Sequence, residues 1–287
     1  MRATLHLWTQ MVGKTRLALS PFENHYWHVA SYVTARGLGT SAIPHRGRTF
    51  ELEFDFVAHE LAARTSDGAR EAIALEPRSV AEFYDRYRAM LRSLGIEVKL
   101  NPMPSEVADA IPFPKDRAHV AYDQDAAHRF WQVLAGVDQA FKQFRGRFLG
   151  KSSPVHYWWG GMDLSHTRFS GRLGPVHPGG IPNLPDHITR ESYSHECMSV
   201  GFWPGTPGLP VTEPSFYAYA YPEPLGCPDA RILPDGAGYH LQMREWILPH
   251  EIVRQSRVPE QTVLDFAQST YEAVATLGQW DRASLER

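Results

Sequence analysis

The sequence has very little cysteine. Only two of its 287 residues, Cys197 and Cys227, are cysteines. Two thiols cannot form the disulfide framework of a small secreted domain or a four-cysteine zinc site. A chain of this length also buries a substantial apolar core without covalent cross-links. The cysteine content therefore favours a reducing compartment, and we expect a cytoplasmic protein.

Long apolar runs and a dominant sign of charge are missing as well. The first ten residues contain no signal-peptide core, and no later run approaches the roughly 20 residues that a membrane helix needs. The sequence has 29 basic and 32 acidic residues, and the basic residues are scattered along the chain. Because neither charge clusters, a nucleic-acid or membrane partner is unexpected. A small molecule is the partner that we expect.

The usual catalytic signatures are also absent. The sequence has no glycine-rich phosphate loop, no dinucleotide fingerprint, no Gly-x-Ser-x-Gly turn, no His-Glu-x-x-His and no Cys-x-x-Cys. No motif therefore indicates a cofactor, and the sequence leaves open whether the protein is an enzyme. It is rich in rings instead, with 14 His, 8 Trp, 12 Tyr and 14 Phe. Such side chains suit an apolar pocket with a few oriented hydrogen bonds.

A tripeptide occurs twice and suggests an internal repeat. His-Tyr-Trp begins at His25 and again at His156, each time shortly after Ser-Pro and followed by an arginine, Arg36 or Arg168. Each half also ends in a predicted helix with a glycine cap. The fold class that we predict is α+β: a tandem duplication of an α-β-β-β-β-α unit. Its sheets are mainly antiparallel, its helices pack outside, and the two copies are related by a pseudo-twofold axis.

Proline content predicts the boundaries of the two copies. Residues 1–101 form the first repeat, residues 102–122 a proline-rich linker, and residues 123–287 the second repeat, within one compact body. In the first repeat, residues 26–35 and 49–57 are predicted strands, the latter with strict alternation of Phe or Leu and acidic residues. The second repeat carries long Pro/Gly-rich loops at 174–185 and 204–214, of a kind that often covers a site.

A cleft between the two copies is the predicted site, because a shared axis would bring rings and imidazoles from both halves together. His195 and His156, with Glu196, are the predicted catalytic groups, since imidazole titrates near neutral pH. Arg168 could bind a carboxylate or phosphate through two hydrogen bonds, or form a salt bridge with Asp163 or Glu196 instead. The predicted ligand-binding residues are Arg168, Trp158, Trp159, Tyr193, Trp203 and His25.

Two alternative functions stay open at this point. A metal-dependent enzyme could use His156, His195 and a carboxylate, Asp163 or Glu51, although no spacing signals a transition-metal site. A non-catalytic interaction protein would display its aromatic clusters on the surface. Cys197 next to His195 is more typical of a buried apolar residue than of a nucleophile.

Several longer segments carry a resemblance to a known family. They are 25–29 (HYWHV), 32–38 (YVTARGL), 153–156 (SPVH), 167–171 (TRFSG), 193–196 (YSHE) and 201–205 (GFWPG). Together they resemble an uncharacterised bacterial family filed as a domain of unknown function, over the chain from about Leu5 to its end. The resemblance implies a stand-alone bacterial protein and no particular activity, cofactor or substrate.

Overall fold

The computed structural model describes residues 1–181, 184–206 and 208–287. Pro182, Asn183 and Pro207, which belong to the two predicted loops, lie outside the described residues. Within the described residues the helices are α1 (Arg2–Leu19), α2 (Val80–Ser93), α3 (Gln124–Gly146), α4 (Asp186–Ser192), α5 (His250–Gln255), α6 (Pro259–Leu277) and α7 (Arg282–Leu285). None of these helices is long and apolar enough to cross a membrane.

The described strands form two sheets. The strands are β1 (Tyr32–Val33), β2 (Gly37–Gly39), β3 (Ile43–His45), β4 (Arg48–Asp55), β5 (Glu60–Thr65), β6 (Arg70–Ala74), β7 (His156–Trp158), β8 (Asp163–Leu173), β9 (His195–Trp203), β10 (Ser215–Tyr221), β11 (Gly238–His240) and β12 (Glu245–Pro249). The first sheet has the order β1-β2-β4-β5-β6, with β3 paired to β4, and the second has the order β11-β12-β10-β9-β8-β7. Their ladders are antiparallel. The predicted α+β class with mainly antiparallel sheets is therefore confirmed.

The chain divides into two compact units that interleave along the sequence. The first unit contains residues 1–135, 157–161 and 180–185, and the second contains residues 136–156, 162–179 and 186–287. The predicted proline-rich linker, residues 102–122, lies inside the first unit. The division into repeats at that linker stays a prediction.

The core of the first unit follows from the alternation that the sequence shows. Phe50, Leu52 and Phe54 of β4 are buried on one face of the sheet. Trp8 of α1 is also buried, and its ring stacks on that of Phe83 of α2 with centroids 4.3 Å apart. The alternating acidic residues of β4 face Arg64 of β5. The prediction of a half-buried strand at residues 49–57 is therefore confirmed within two residues at either end.

The predicted strand at residues 26–35 is wrong over its first half. Asn24–Val29 forms a 3-10 helical turn in which His25 and Tyr26 have φ values of 57° and 59°. A residue in this left-handed region cannot be part of an extended strand. The buried Arg16 guanidinium donates to the backbone oxygens of His28 and Thr40, so tertiary contacts hold the turn.

The second copy of the tripeptide has a different conformation, since His156–Trp158 is the strand β7. Both units share the order helix, antiparallel strands, helix. The duplication itself is not confirmed.

The sheet of the second unit has one apolar face and one polar face. Apolar side chains from alternate positions of its central strands lie on the same side as Phe144 of α3 and Tyr271 of α6. They are Leu164, Val200, Phe202, Phe216, Ala218, Trp246 and Leu248, all buried. Because successive side chains of a strand point to opposite faces, the intervening residues form the other face. That second face positions the candidate site.

Candidate functional site

The polar face of the second sheet collects hydroxyl and carboxyl groups from four neighbouring strands. Ser165 of β8 is opposite Gly201 of β9, which is opposite Tyr217 of β10. Residues directly opposite each other in antiparallel strands share a face. We call this surface the tyrosine–carboxyl face and define it by Asp163, Ser165, Thr167, Ser199, Tyr217, Tyr219 and Glu245, together with Tyr193, which bonds to it.

Asp163 begins β8 and is held by a tyrosine. The Tyr217 hydroxyl donates a hydrogen bond of 2.5 Å to Oδ2 of Asp163. Burial raises the pKa of the Asp163 carboxyl to about 6, and the Tyr217 hydrogen bond opposes that rise without cancelling it. Burial raises the pKa of Tyr217 well above its ordinary value, so its hydroxyl stays protonated and remains a donor.

Glu245 begins β12 and carries the second carboxyl of the face. Trp246 is opposite Ala218, so Glu245 lies beside Tyr219 one position further along the ladder. Burial, and then the negative charge of Asp163, raise the pKa of Glu245 to about 7. Among the hydrogen bonds and ion pairs of the described residues, none involves its side chain. Glu245 is therefore a carboxyl that changes charge near neutral pH and is available to a ligand.

Tyrosine and histidine rings extend the face beyond the carboxyls. The Tyr193 and Tyr219 hydroxyls are 2.8 Å apart and share one hydrogen bond, so one of their two hydrogens remains available to another acceptor. The His177 ring stacks on Tyr193 with centroids 5.0 Å apart. The centroid of the Tyr221 ring lies 4.9 Å from that of the His177 ring, and the Tyr221 hydroxyl donates to the backbone oxygen of Pro175. These contacts tie the loop that follows β8 to the face.

Small side chains make room for the tyrosines. Thr167 and Ser199 are hydrogen-bonded across β8 and β9 at 3.0 Å. Gly201 lies under the Tyr217 ring, and a Cβ added at Gly201 would come within 2.2 Å of that ring. Because Gly201 is not in the left-handed region, its lack of a side chain serves this close approach and not the backbone conformation.

The arrangement suits proton exchange with a bound molecule. The two carboxyls of the face have different pKa values near neutral pH, about 6 and about 7, which is the property expected of acid and base groups. The protonated tyrosines supply fixed donors beside them. Together these groups can orient a small polar molecule and give or take a proton.

Three of the sequence-predicted residues lie on this face. Asp163 and Tyr193 belong to it directly. Trp203 ends β9 and lies beside Asp163, because Leu164 is opposite Phe202 one position earlier in the ladder. His195 points to the same side of β9, but it lies four residues beyond Ser199, roughly 13 Å along the strand.

Glu196, a predicted catalytic residue, is held in an ion pair. Arg172 donates to Oε2 of Glu196 at 2.6 Å, and Ser170 donates to the same oxygen at 2.9 Å. Cys197 follows it, and burial raises the pKa of that thiol to about 12. A nucleophilic cysteine needs a lowered thiol pKa, so Cys197 does not have this property. The predicted catalytic role of Glu196 stays a prediction.

Arg168 points into the core and away from the tyrosine–carboxyl face. Its side chain is 1% exposed, and its guanidinium carbon lies 3.4, 4.9 and 4.4 Å from the ring centres of Phe144, Phe148 and Tyr271. It also donates to the backbone oxygen of Phe144. Burial lowers the pKa of Arg168 to about 9. A ligand bound by Arg168 would have to enter this core, and the alternative salt bridge with Asp163 or Glu196 does not form.

His156 also lies on the core side, with 0% exposure. Its neighbour His166 donates from Nδ1 to the backbone oxygen of Ser153 at 2.9 Å. Burial, and then the charge of Arg168, hold the pKa of His166 well below its ordinary value, so this imidazole is neutral. A catalytic role for His156 stays a prediction.

The remaining predicted residues belong to the first unit. Trp159 is buried, and its Nε1 donates to the backbone oxygen of Val29 at 2.9 Å. Trp158 is half-buried at the end of β7. His25 is buried in the 3-10 turn, with its ring 5.2 Å from that of Trp27. Their predicted contacts with a ligand stay predictions.

Sequence reasoning missed Glu245, Tyr217 and Tyr219. A signal was present, because tyrosine occupies three alternate positions of β10, 217, 219 and 221, and such alternation predicts one shared face. The structure offers no support for the alternative of a metal-dependent enzyme. Among the described residues, no group of three or more His, Cys, Asp and Glu side chains could hold a metal ion. His156, His195 and Asp163 are thus not assembled into a metal site there.

Comparison with known proteins gives one match. The model of a family described as "Family of unknown function (DUF5996)" matches residues 1–287. This match confirms the resemblance to a family of unknown function. No curated protein and no solved structure matches the chain.

Proposed function

We propose a function from geometry, because the chain belongs to the family of unknown function DUF5996, which brings no activity with it. The proposal is that the tyrosine–carboxyl face binds a small polar organic molecule. In that complex, Glu245 exchanges a proton with the bound molecule, and the Asp163–Tyr217 pair orients it.

The observation that carries the proposal is the state of the two carboxyls. Asp163 and Glu245 have pKa values raised to about 6 and about 7, and neither has a basic partner among the ion pairs of the described residues. Carboxyls that serve only stability are usually paired or solvated, and strongly shifted groups without such a partner concentrate at functional sites. This arrangement supports a site at which ligand binding and proton transfer are coupled.

The roles of the residues follow from their protonation states. Near pH 7 Glu245 is divided between its acid and its carboxylate, so it can either donate or accept a proton. Asp163 is mostly ionised and accepts from Tyr217, which fixes the direction of its free oxygen. Tyr193 and Tyr219 offer one further hydroxyl hydrogen to an acceptor on the bound molecule.

The experiment is an NMR screen of small polar molecules with ¹³C-labelled Glu and Asp side chains. Binders should shift the Glu245 carboxyl signal and lower or raise its pKa by one unit or more. Glu245→Gln should weaken their binding at least tenfold. Glu71→Gln, the same change at an exposed position of β6, should leave binding unchanged. Binding that is equally strong in both variants would contradict the proposal.

Three broader predictions accompany this function. We retain the tandem α-β-β-β-β-α duplication as a proposal, supported by the shared order of elements in the two units. We also retain a bacterial source and a cytoplasmic location, the latter supported by the two free thiols, Cys197 and Cys227.

A further inference from the structure

The charges on the tyrosine–carboxyl face are all of one sign. The charged or ionisable neighbours that shift the pKa of Tyr193, Tyr217 and Tyr219 are Asp163, Glu245, Cys197 and the tyrosines themselves. No arginine or lysine is among the neighbours with the largest effects on these tyrosines. Asp163 and Glu245 thus share this face, and neither has a cationic partner among the ion pairs of the described residues.

The basic residues closest along the strands already have partners. Arg244, next to Glu245, pairs with Glu223 at 2.5 Å, and Arg172 pairs with Glu196 at 2.6 Å. Burial, and then the charge of Arg190, lower the pKa of His177, so its ring is neutral at pH 7. Neither Arg244 nor Arg172 is therefore paired with Asp163 or Glu245.

Tyrosine rings lie close to one another on the same side of the sheet. The centroids of Tyr193 and Tyr219 are 6.1 Å apart, and those of Tyr193 and Tyr221 are 5.2 Å apart. The electron-rich face of an aromatic ring attracts a cation, and the attraction is strongest where water is excluded. Carboxylates and aromatic rings both attract ammonium groups, so a face that carries both can bind one.

Resting on the proposed function, we infer that the ligand of the tyrosine–carboxyl face is an organic cation, an amine carrying a small polar or aromatic body. Its ammonium group binds to Glu245 and Asp163, and its body packs against the tyrosine rings. An anionic ligand would instead place like charges together, which is unfavourable.

The same charges predict how binding depends on pH. A bound ammonium favours ionised Glu245, so binding releases a proton and strengthens as pH rises through the folded-state pKa of about 7. The other groups near Glu245 are Asp163 on β8, Tyr217 and Tyr219 on β10, Tyr193, and His240 on β11. Nδ1 of His240 accepts a hydrogen bond from the backbone N–H of Met243.

The test compares three probes of nearly equal size: benzylamine, which is cationic at these pH values, neutral benzyl alcohol and anionic benzoate. Dissociation constants are measured by NMR titration of the full chain at pH 5.5 and pH 8. We expect benzylamine to bind at least tenfold more tightly than either other probe at pH 8. We expect its affinity to rise about tenfold or more between the two pH values, while that of benzyl alcohol stays constant.

Glu245→Gln should remove the pH dependence of benzylamine binding, and Glu71→Gln should preserve it. The wild-type pH comparison keeps the test valid if the first variant folds poorly. Benzyl alcohol or benzoate binding as tightly as benzylamine would overturn the cation inference while leaving the proposed site intact. Failure of all three probes to shift any signal of the face would overturn the proposed function and this inference with it.

Discussion

Glu245 makes stability depend on pH in a direction that can be worked out. Its pKa is raised from 4.5 in the unfolded chain to about 7 in the folded protein. A group whose folded pKa is raised stabilises the fold fully below its unfolded pKa, and that contribution is lost as pH rises through the folded pKa. Between about pH 4.5 and pH 7, ionisation of Glu245 therefore destabilises the protein.

We expect Glu245→Gln to remove this pH-dependent loss of stability, because glutamine does not ionise. Relative to the wild type, the variant should gain on the order of 2 kcal/mol in unfolding free energy between pH 4.5 and pH 8. Urea unfolding at the two pH values measures the difference. The exposed control Glu71→Gln should follow the wild type, and a parallel pH profile of all three proteins would show that the Glu245 carboxyl is not buried as described.

Arg168 shows how one residue can support two interpretations of a sequence. An arginine after a ring-rich strand fits anion binding, and it equally fits a cation packed between rings. Its even position on β8 places it on the core side, where Phe144, Phe148 and Tyr271 enclose it. Alternate residues of β8 point to opposite faces of the sheet, so the position of Arg168 in the strand decides which face it joins. The sequence alone does not say which of the two faces packs against the core.

Strand β9 contributes a glycine that positions a tyrosine of the neighbouring strand. We expect Gly201→Ala to displace the Tyr217 ring, because the new Cβ would overlap it. The variant should lose the hydrogen bond to Asp163 and about 1–3 kcal/mol of stability, as in other overpacked sites. Since that bond lowers the pKa of Asp163, its loss should raise the pKa further.

A matched control lies on α3. Gly136 has open space around the position that a Cβ would occupy, so Gly136→Ala should stabilise the helix by about 0.5–1 kcal/mol. Carboxyl ¹³C NMR reports the Asp163 pKa in both variants, and urea unfolding reports their stabilities. An unchanged Asp163 pKa in Gly201→Ala would argue against the contact between Gly201 and Tyr217.

The interleaving of the two units predicts how the chain responds to cutting. The first unit needs residues beyond the predicted linker: Trp131 donates to the backbone oxygen of Thr34 at 3.1 Å, and Trp159 donates to that of Val29 at 2.9 Å. The Trp159 ring also lies against Gly13 of α1, where a Cβ would come within 2.1 Å of it. A fragment that stops at residue 122 lacks both indoles.

We expect the fragment 1–122 to lack a stable fold, because it would leave this core open. Its ¹H–¹⁵N NMR spectrum should be poorly dispersed, while a fragment of residues 1–161 should recover part of the native dispersion. A well-dispersed spectrum of fragment 1–122 would instead support the predicted boundary at residues 102–122, with an independent first repeat.

The sequence by itself determined the strand β4 and the family. The alternation in β4 was readable because the strand period is a local property. The motif segments sufficed for the resemblance that the family match confirms. The three alternating tyrosines of β10 carried the same kind of signal, although sequence reasoning did not use it.

Tertiary structure alone decided the rest. The 3-10 turn at His25 depends on contacts with the distant Arg16. The raised pKa of Asp163 depends on burial, and that of Glu245 depends on burial and then on the charge of Asp163. A sequence pattern states which residues share a face, but it does not state what packs there or which charges become neighbours, and those long-range contacts set the chemistry of the site.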